Sequence, residues 1–189
     1  MNKLKYTLHL VLVGLFISYS ALGQVAAALY STTSGNTQFS SDTPLENIQA
    51  ENKRGQAVFN TKTRELAIRM NMKDFVFPNK LMQEHFNENY MESDQYPTAS
   101  FRGKVNQAID LGKEGISKVS ATGTFTVHGQ SQTRTLEGTI AVRRGTIIID
   151  SSFEVQLEDH HIDVPKIVFM KIAQTIQVKA QYTLAPMNK

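Results

Sequence analysis

From about Gln38 onward, the apolar residues of this chain recur at every second position, not with the 3.6-residue spacing of a helix. Leu66, Ile68, Met70 and Met72 alternate with Ala67, Arg69, Asn71 and Lys73. Ile147, Ile149, Ser151, Phe153, Val155 and Leu157 alternate with Ile148, Asp150, Ser152, Glu154, Gln156 and Glu158. Ile176, Val178, Ala180, Tyr182 and Leu184 alternate with Gln177, Lys179, Gln181 and Thr183. Successive side chains of an extended strand point to opposite faces, so each segment offers one face to a core and the other to water. Glu154 and Asp150 are outward by this parity; Ile149 and Phe153 are inward.

Turn signals separate the strands: Asn60-Thr61-Lys62, Gly112-Lys113-Glu114-Gly115, His128-Gly129-Gln130-Ser131 and Arg144-Gly145. Strands joined this closely form a meander of hairpins. Its simplest closure is an antiparallel barrel or a strongly curved sheet, which removes exposed edges. Two stretches break the alternation. Asn79 to Glu92 places Leu81, Met82, Phe86 and Tyr90 at helical spacing, with Asn79 as N-cap. Glu84, Glu88 and Glu92 then form an acidic stripe on its solvated face. Pro165 to Gln174 reads either as one or two helical turns or as an extended link. Residues 24 to 36 are small and polar, and are expected to be loosely ordered apart from a first strand.

The N-terminus reads as a secretory leader. Lys3 and Lys5 precede the mostly apolar run from Tyr6 to Ile17, and Ala21-Leu22-Gly23 supplies a small-x-small cleavage pattern. The run is shorter than the roughly 20 residues that span a bilayer. Residues 1–23 are therefore expected to be removed, leaving residues 24–189 as one domain that begins near Gln24, without a transmembrane anchor, in a bacterial periplasm or outside the cell. The chain has no cysteine, which excludes disulfides, thiol chemistry and attachment of lipid through a cysteine. Its 20 Lys+Arg outweigh 17 Asp+Glu, but two of those lysines sit in the leader. The remainder is close to neutral, with no excess charge for nucleic acid.

Long strands with apolar inner faces either pack solid or leave room for one small ligand. The wall candidates are aromatic or pliable, as suits a long flexible apolar ligand. Phe75, Phe77 and Phe86 belong to the helical interruption and its approach, together with Leu81 and Met82. Phe125, Val127, Ile147, Ile149 and Phe153 belong to the strands. Phe101, Phe169, Met70, Met72 and Met170 extend the same set.

The chain lacks the usual signatures of catalysis. It has no GxSxG, P-loop or GxGxxG pattern, and Ser131 near His128 is a turn neighbour rather than part of a dyad. His128 reads as a surface turn residue, and His160-His161 as a polar loop after the strand ending at Glu158. No histidine spacing matches a metal motif, so no catalytic residue, metal ligand or obligatory cofactor is expected. Two rival readings remain: a metal-dependent enzyme using His85, His160 and His161 with Asp163, and a ligand-free structural or interaction barrel.

The run Phe75-x-Phe77, then Leu81 through Ser93, then Tyr96-Pro97-x-Ala99-x-Phe101-x-Gly103 resembles the YceI-like family. Gly123-Thr124-Phe125-Thr126-Val127-His128-Gly129 is similar to that family's G-x-L-x-I-H-G strand and turn. Phe153-x-Val155-x-Leu157-x-Asp159 with Ile162 and Pro165 resembles its last block. The likeness covers about Thr37 to Leu184. It implies an all-β fold, an eight-stranded antiparallel lipocalin-like barrel with short helical inserts. It also implies an exported, non-enzymatic carrier or sequestering protein, monomeric or homodimeric, whose tunnel takes an isoprenoid quinone, a polyprenoid-like lipid or another long amphiphile. Family members with a polyprenoid ligand often show Asp then Leu before the Phe of the insert. Here that stretch is Leu81-Met82-Gln83-Glu84-His85-Phe86, a different polar set, which implies a different head group at the pocket mouth.

Overall fold

A computed structural model describes residues 28–165 and 170–187. The expected leader and Phe169 lie outside the described residues. The alternating segments form strands β1 (Leu29–Asp42), β2 (Asn47–Asn60), β3 (Glu65–Asn71), β4 (Thr98–Val105), β5 (Gly115–Val127), β6 (Gln130–Arg143), β7 (Thr146–Gln156) and β8 (Thr175–Pro186). Each strand pairs antiparallel with the next, and β8 returns to β1 to close the barrel. The hairpin turn between β5 and β6 is His128-Gly129, and that between β6 and β7 is Arg144-Gly145. All four residues have positive φ, between 48° and 74°. Two-residue loops of this kind match the right-handed twist of the flanking strands.

The interruption after β3 is a helix, but a shorter one than the spacing predicts. Helix α1 (Lys80–His85) is capped by Asn79, whose side chain accepts from the Leu81 and Met82 amides. It then widens into a π turn over Phe86–Tyr90. Asn87 Nδ2 donates to the Gln83 carbonyl and Asn87 Oδ1 accepts from Ser93 Oγ, which braces this turn. The backbone reverses at Glu92, with φ of 42°, so Glu92 leaves the acidic face shared by Glu84 and Glu88. Strand β7 also ends earlier than the alternation implies. Gln156 is its last residue, and Glu158–His160 form a 3₁₀ turn.

The two ends of the barrel differ. At the end carrying the β2–β3, β4–β5 and β6–β7 connections, the interior is solid. Phe59, Ile147, Tyr182 and Leu184 are fully buried there, with Val105 and Ile140 nearly so. Each such side chain contributes about 1.5–3 kcal/mol on burial. Closure of β1 on β8 takes place around Tyr182. The β1–β8 register shifts between Ser31 and Asn36, and the Tyr182 ring occupies the space that side chains at Gly35 and Gly55 would need. Its hydroxyl shares a 2.9 Å hydrogen bond with Thr37. Burial pushes the Tyr182 phenol above its usual range, and the Thr37 hydroxyl partly offsets this.

A Cβ at Gly35 would lie 2.0 Å from a ring carbon of Tyr182, an impossible approach. Gly35→Ala is expected to destabilise the barrel by about 1–3 kcal/mol through overpacking. Tyr182→Phe, which loses only the hydroxyl bond, is expected to cost about 1 kcal/mol. Urea denaturation of the two variants measures both, and the reverse ranking would contradict this account of closure.

Candidate functional site

The opposite end carries the β1–β2 turn, the insert with α1, the β5–β6 turn and the β7–β8 connection. Here the side chains leave a cavity of about 510 Å³. That volume falls within the roughly 300–1,000 Å³ of sites that hold small molecules. Its walls are inward residues of the strands: Leu66, Ile68 and Met70 from β3, Phe101 from β4, Val119, Ala121, Phe125 and Val127 from β5, Ile149, Phe153 and Val155 from β7. At the mouth stand Phe75, Phe77, Leu81, Met82 and Phe86 of the insert, with Glu46, His85, Lys171 and Ile172.

Nine of the first ten wall candidates named from the sequence therefore surround one space, together with Phe101, Met70 and Met72 of the extended set. Ile147 does not: it is fully buried in the solid end, outside the lining. Parity places Ile147 inward correctly, but parity says nothing about height along the barrel. Met170 is 71% exposed and forms no wall. Leu81 is 57% exposed, at the lip rather than in the interior.

Phe39 is the main residue that sequence reasoning missed. Its ring stacks on Phe86 at 5.5 Å and meets Phe75 and Phe77 at 5.3 and 5.7 Å. Phe86 in turn meets Phe75 and Phe77 at 5.8 and 5.0 Å. Such aromatic pairs add about 0.5–1.5 kcal/mol beyond area burial. The four rings fasten the insert to β1 and narrow the mouth. The signal for Phe39 was weak because its inward companions on β1, Thr37 and Ser41, are polar.

Two histidines are corrected. His128 is buried, not a surface turn residue. Its Nδ1 donates to the His160 carbonyl at 3.0 Å, its Nε2 lies 3.0 Å from Glu92 Oε2, and its ring meets Tyr96 edge-on at 4.4 Å. His160 is only 1% exposed, rather than part of a solvated loop. Glu92, His128 and His160 come from three different connections, so this buried tie joins the insert, the β5–β6 turn and the β7–β8 link. His85 sits exposed at the mouth and His161 is exposed on its turn. Among the described residues no group of three or more His, Asp or Glu side chains is placed to hold a metal ion. The histidines proposed for a metal-dependent enzyme are thus structural or dispersed.

Comparison with known proteins agrees with this geometry. Residues 20–184 match the model of the YceI-like domain. Among solved structures, a polyisoprenoid-binding domain from Saccharophagus degradans implicated in plant cell wall breakdown is 11% identical, with a TM-score of 0.72 over 85% of this chain and 99% of that one. BcnA of Burkholderia cenocepacia is 16% identical, with a TM-score of 0.66 over 80% of this chain and 96% of that one. A Campylobacter jejuni YceI protein is 17% identical, with a TM-score of 0.54 over 99% of this chain and all of that one. No curated protein matches the chain. At these identities the solved structures speak for the fold.

Burial holds the His160 ring below the usual histidine range. It outweighs the Val127 and Gln130 carbonyls and Asp159, which favour the charged ring, while Arg134 acts with burial. The unfolded chain therefore takes up this proton first as pH falls. The stability contributed is complete above about pH 6.5 and is lost below it. Urea midpoints measured from pH 8 to 5 should fall for the wild type. They should fall less for His160→Leu, and an equal fall would remove His160 as the cause.

Proposed function

Starting from the fact that this chain belongs to the YceI-like family, we propose that it carries or sequesters one long-chain amphiphile, an isoprenoid or fatty-acyl compound, within its barrel. The supporting observation is the single-ended apolar cavity, solid at one end and rimmed by Phe39, Phe75, Phe77 and Phe86 at the other. A polyisoprenoid is what the Saccharophagus degradans domain of the same fold binds, and an isoprenoid quinone or polyprenoid-like lipid belongs to the same chemical class. The action is burial, not chemistry. Each methylene withdrawn from water contributes about 0.8 kcal/mol, and the polar head stays in contact with water. The leader-like N-terminus favours action in a periplasm or outside the cell, where a lipid needs a shield from water. The ligand-free interaction barrel is less well supported, because the wall residues at the open end surround an apolar cavity of about 510 Å³, whereas Phe59, Ile147 and Leu184 are fully buried outside it.

Titration with isoprenoid alcohols and fatty acids of increasing length, followed by calorimetry, tests this reading. Affinity is expected to rise with each added unit until the cavity is full and then level off. Phe125→Ala should weaken the longest ligands about tenfold or more, on the scale of a lost aromatic wall. No uptake at any length would overturn the carrier function.

A further inference from the structure

The barrel wall contains a split. Strand β6 pairs with β5 along its whole length, from Gln130 to Val142. With β7 it pairs only from Gly138↔Ser151 to Arg143↔Thr146. Residues Ser152–Gln156 of β7 pair with β8 alone, so the adjacent half of β6 has no ladder partner on that side. The split is bounded above by a 2.6 Å bond from Ser151 Oγ to the Glu137 carbonyl. It is bounded below by a 2.8 Å bond from Gln132 Nε2 to the Asp159 carbonyl. Near its upper limit, the cavity is lined by outward residues Glu137, Thr139 and Asp150 as well as by inward Leu136, Gly138 and Ser151. At this level the cavity therefore extends to the wall itself, on the β6–β7 side of the barrel.

Arg134 stands in this split. It shares parity with Leu136, Gly138 and Ile140 and so extends from the inner face of β6, where it is half-buried beside the cavity rather than in its lining. Its neighbour across the ladder on β5 is Gly123, which has no side chain to compete for the space. The guanidinium carbon lies 5.6 Å from the Phe125 ring centroid and 5.7 Å from that of Phe153, two walls of the cavity. Among the described residues Arg134 has no carboxylate partner: the ion pairs join Lys53 to Glu51, Arg54 to Asp74, Lys73 to Asp94 and His128 to Glu92. His160 packs edge-on against the same Phe125 ring, and its Nδ1 is buried without a hydrogen-bond partner.

A guanidinium presents five donors in a fixed fork that matches a carboxylate or phosphate. Arg134 is held over two aromatic rings without a counter-charge, which leaves its fork available to an anion at the edge of an apolar cavity. We propose that the β6–β7 split is the head-group site, and that Arg134 selects amphiphiles whose head is anionic, a carboxylate or a phosphate, over those with a neutral head. The chain of such a ligand lies along Phe125 and Phe153 and its head emerges through the wall. This inference rests on the carrier reading and adds the chemical class of the ligand.

The test compares chains that differ only in the head: hexadecanoate against hexadecan-1-ol, and geranylgeranyl phosphate against geranylgeraniol, at pH 8 by calorimetry or displacement of a fluorescent probe. The wild type is expected to bind at least one anion about tenfold or more tighter than its alcohol, the scale of a charge-assisted hydrogen bond. Which pair shows the preference distinguishes carboxylate from phosphate. Arg134→Gln should abolish the preference while leaving the alcohol within about twofold, and Arg134→Lys should retain part of it. Equal affinity of anion and alcohol in the wild type would overturn the head-group site while leaving the carrier function standing. An equal loss of both ligands in Arg134→Gln, with Arg134→Lys no better, would make Arg134 a structural plug and overturn the proposal. Uptake of none of the four ligands would overturn both readings together.

Discussion

Everything in this molecule depends on the closure of β1 on β8. A meander of eight amphipathic strands left open would expose two edges and an apolar face. Closing it needs room at the seam for one large side chain, and the chain provides that room with glycines. Tyr182 crosses the space above Gly35 and Gly55, bonds to Thr37, and anchors the solid end with Phe59, Ile147 and Leu184. That packing carries enough of the stability for the other end to remain hollow. A filled half beside an unfilled half is the arrangement on which the proposed carrier function rests.

The open end is organised by connections rather than by strands. The insert with α1 is held from two directions. On its apolar side, Phe75, Phe77 and Phe86 join Phe39 of β1. On its polar side, Glu92 reaches His128 at the β5–β6 turn, which in turn holds the His160 backbone. With both ring nitrogens of His128 partnered, this tie fixes how the three connections sit against one another. The mouth therefore has a defined shape, although it is built from the segments with the least regular structure.

Much of this was legible in the sequence because a strand's period of two survives any tertiary arrangement. The inward rows of β3, β7 and β8 follow directly from it, and the N-cap at Asn79 follows from the helical spacing where that period breaks. Four things were not legible. Height along the barrel leaves no trace in parity, so Ile147 was grouped with the cavity walls although it packs in the solid end. Strand β1 hides Phe39 because its inner face carries glycine, threonine and serine where contacts across the seam are polar. His128 and His160 looked solvent-exposed because the groups that bury them lie on connections distant in the chain, which no local pattern records. Arg134 was hidden for a related reason: an inward arginine interrupts the apolar alternation at the point where the wall itself is interrupted.

The central claim is that the hollow half of the barrel exists to hold a long-chain amphiphile. Native mass spectrometry of the protein isolated from its own cells without detergent, followed by denaturing extraction, tests it most directly. The account predicts a second species heavier by the mass of one isoprenoid or fatty-acyl compound per chain, released on denaturation and diminished by Phe125→Ala. A single species at the mass of the polypeptide alone, unchanged after incubation with such compounds, would contradict it.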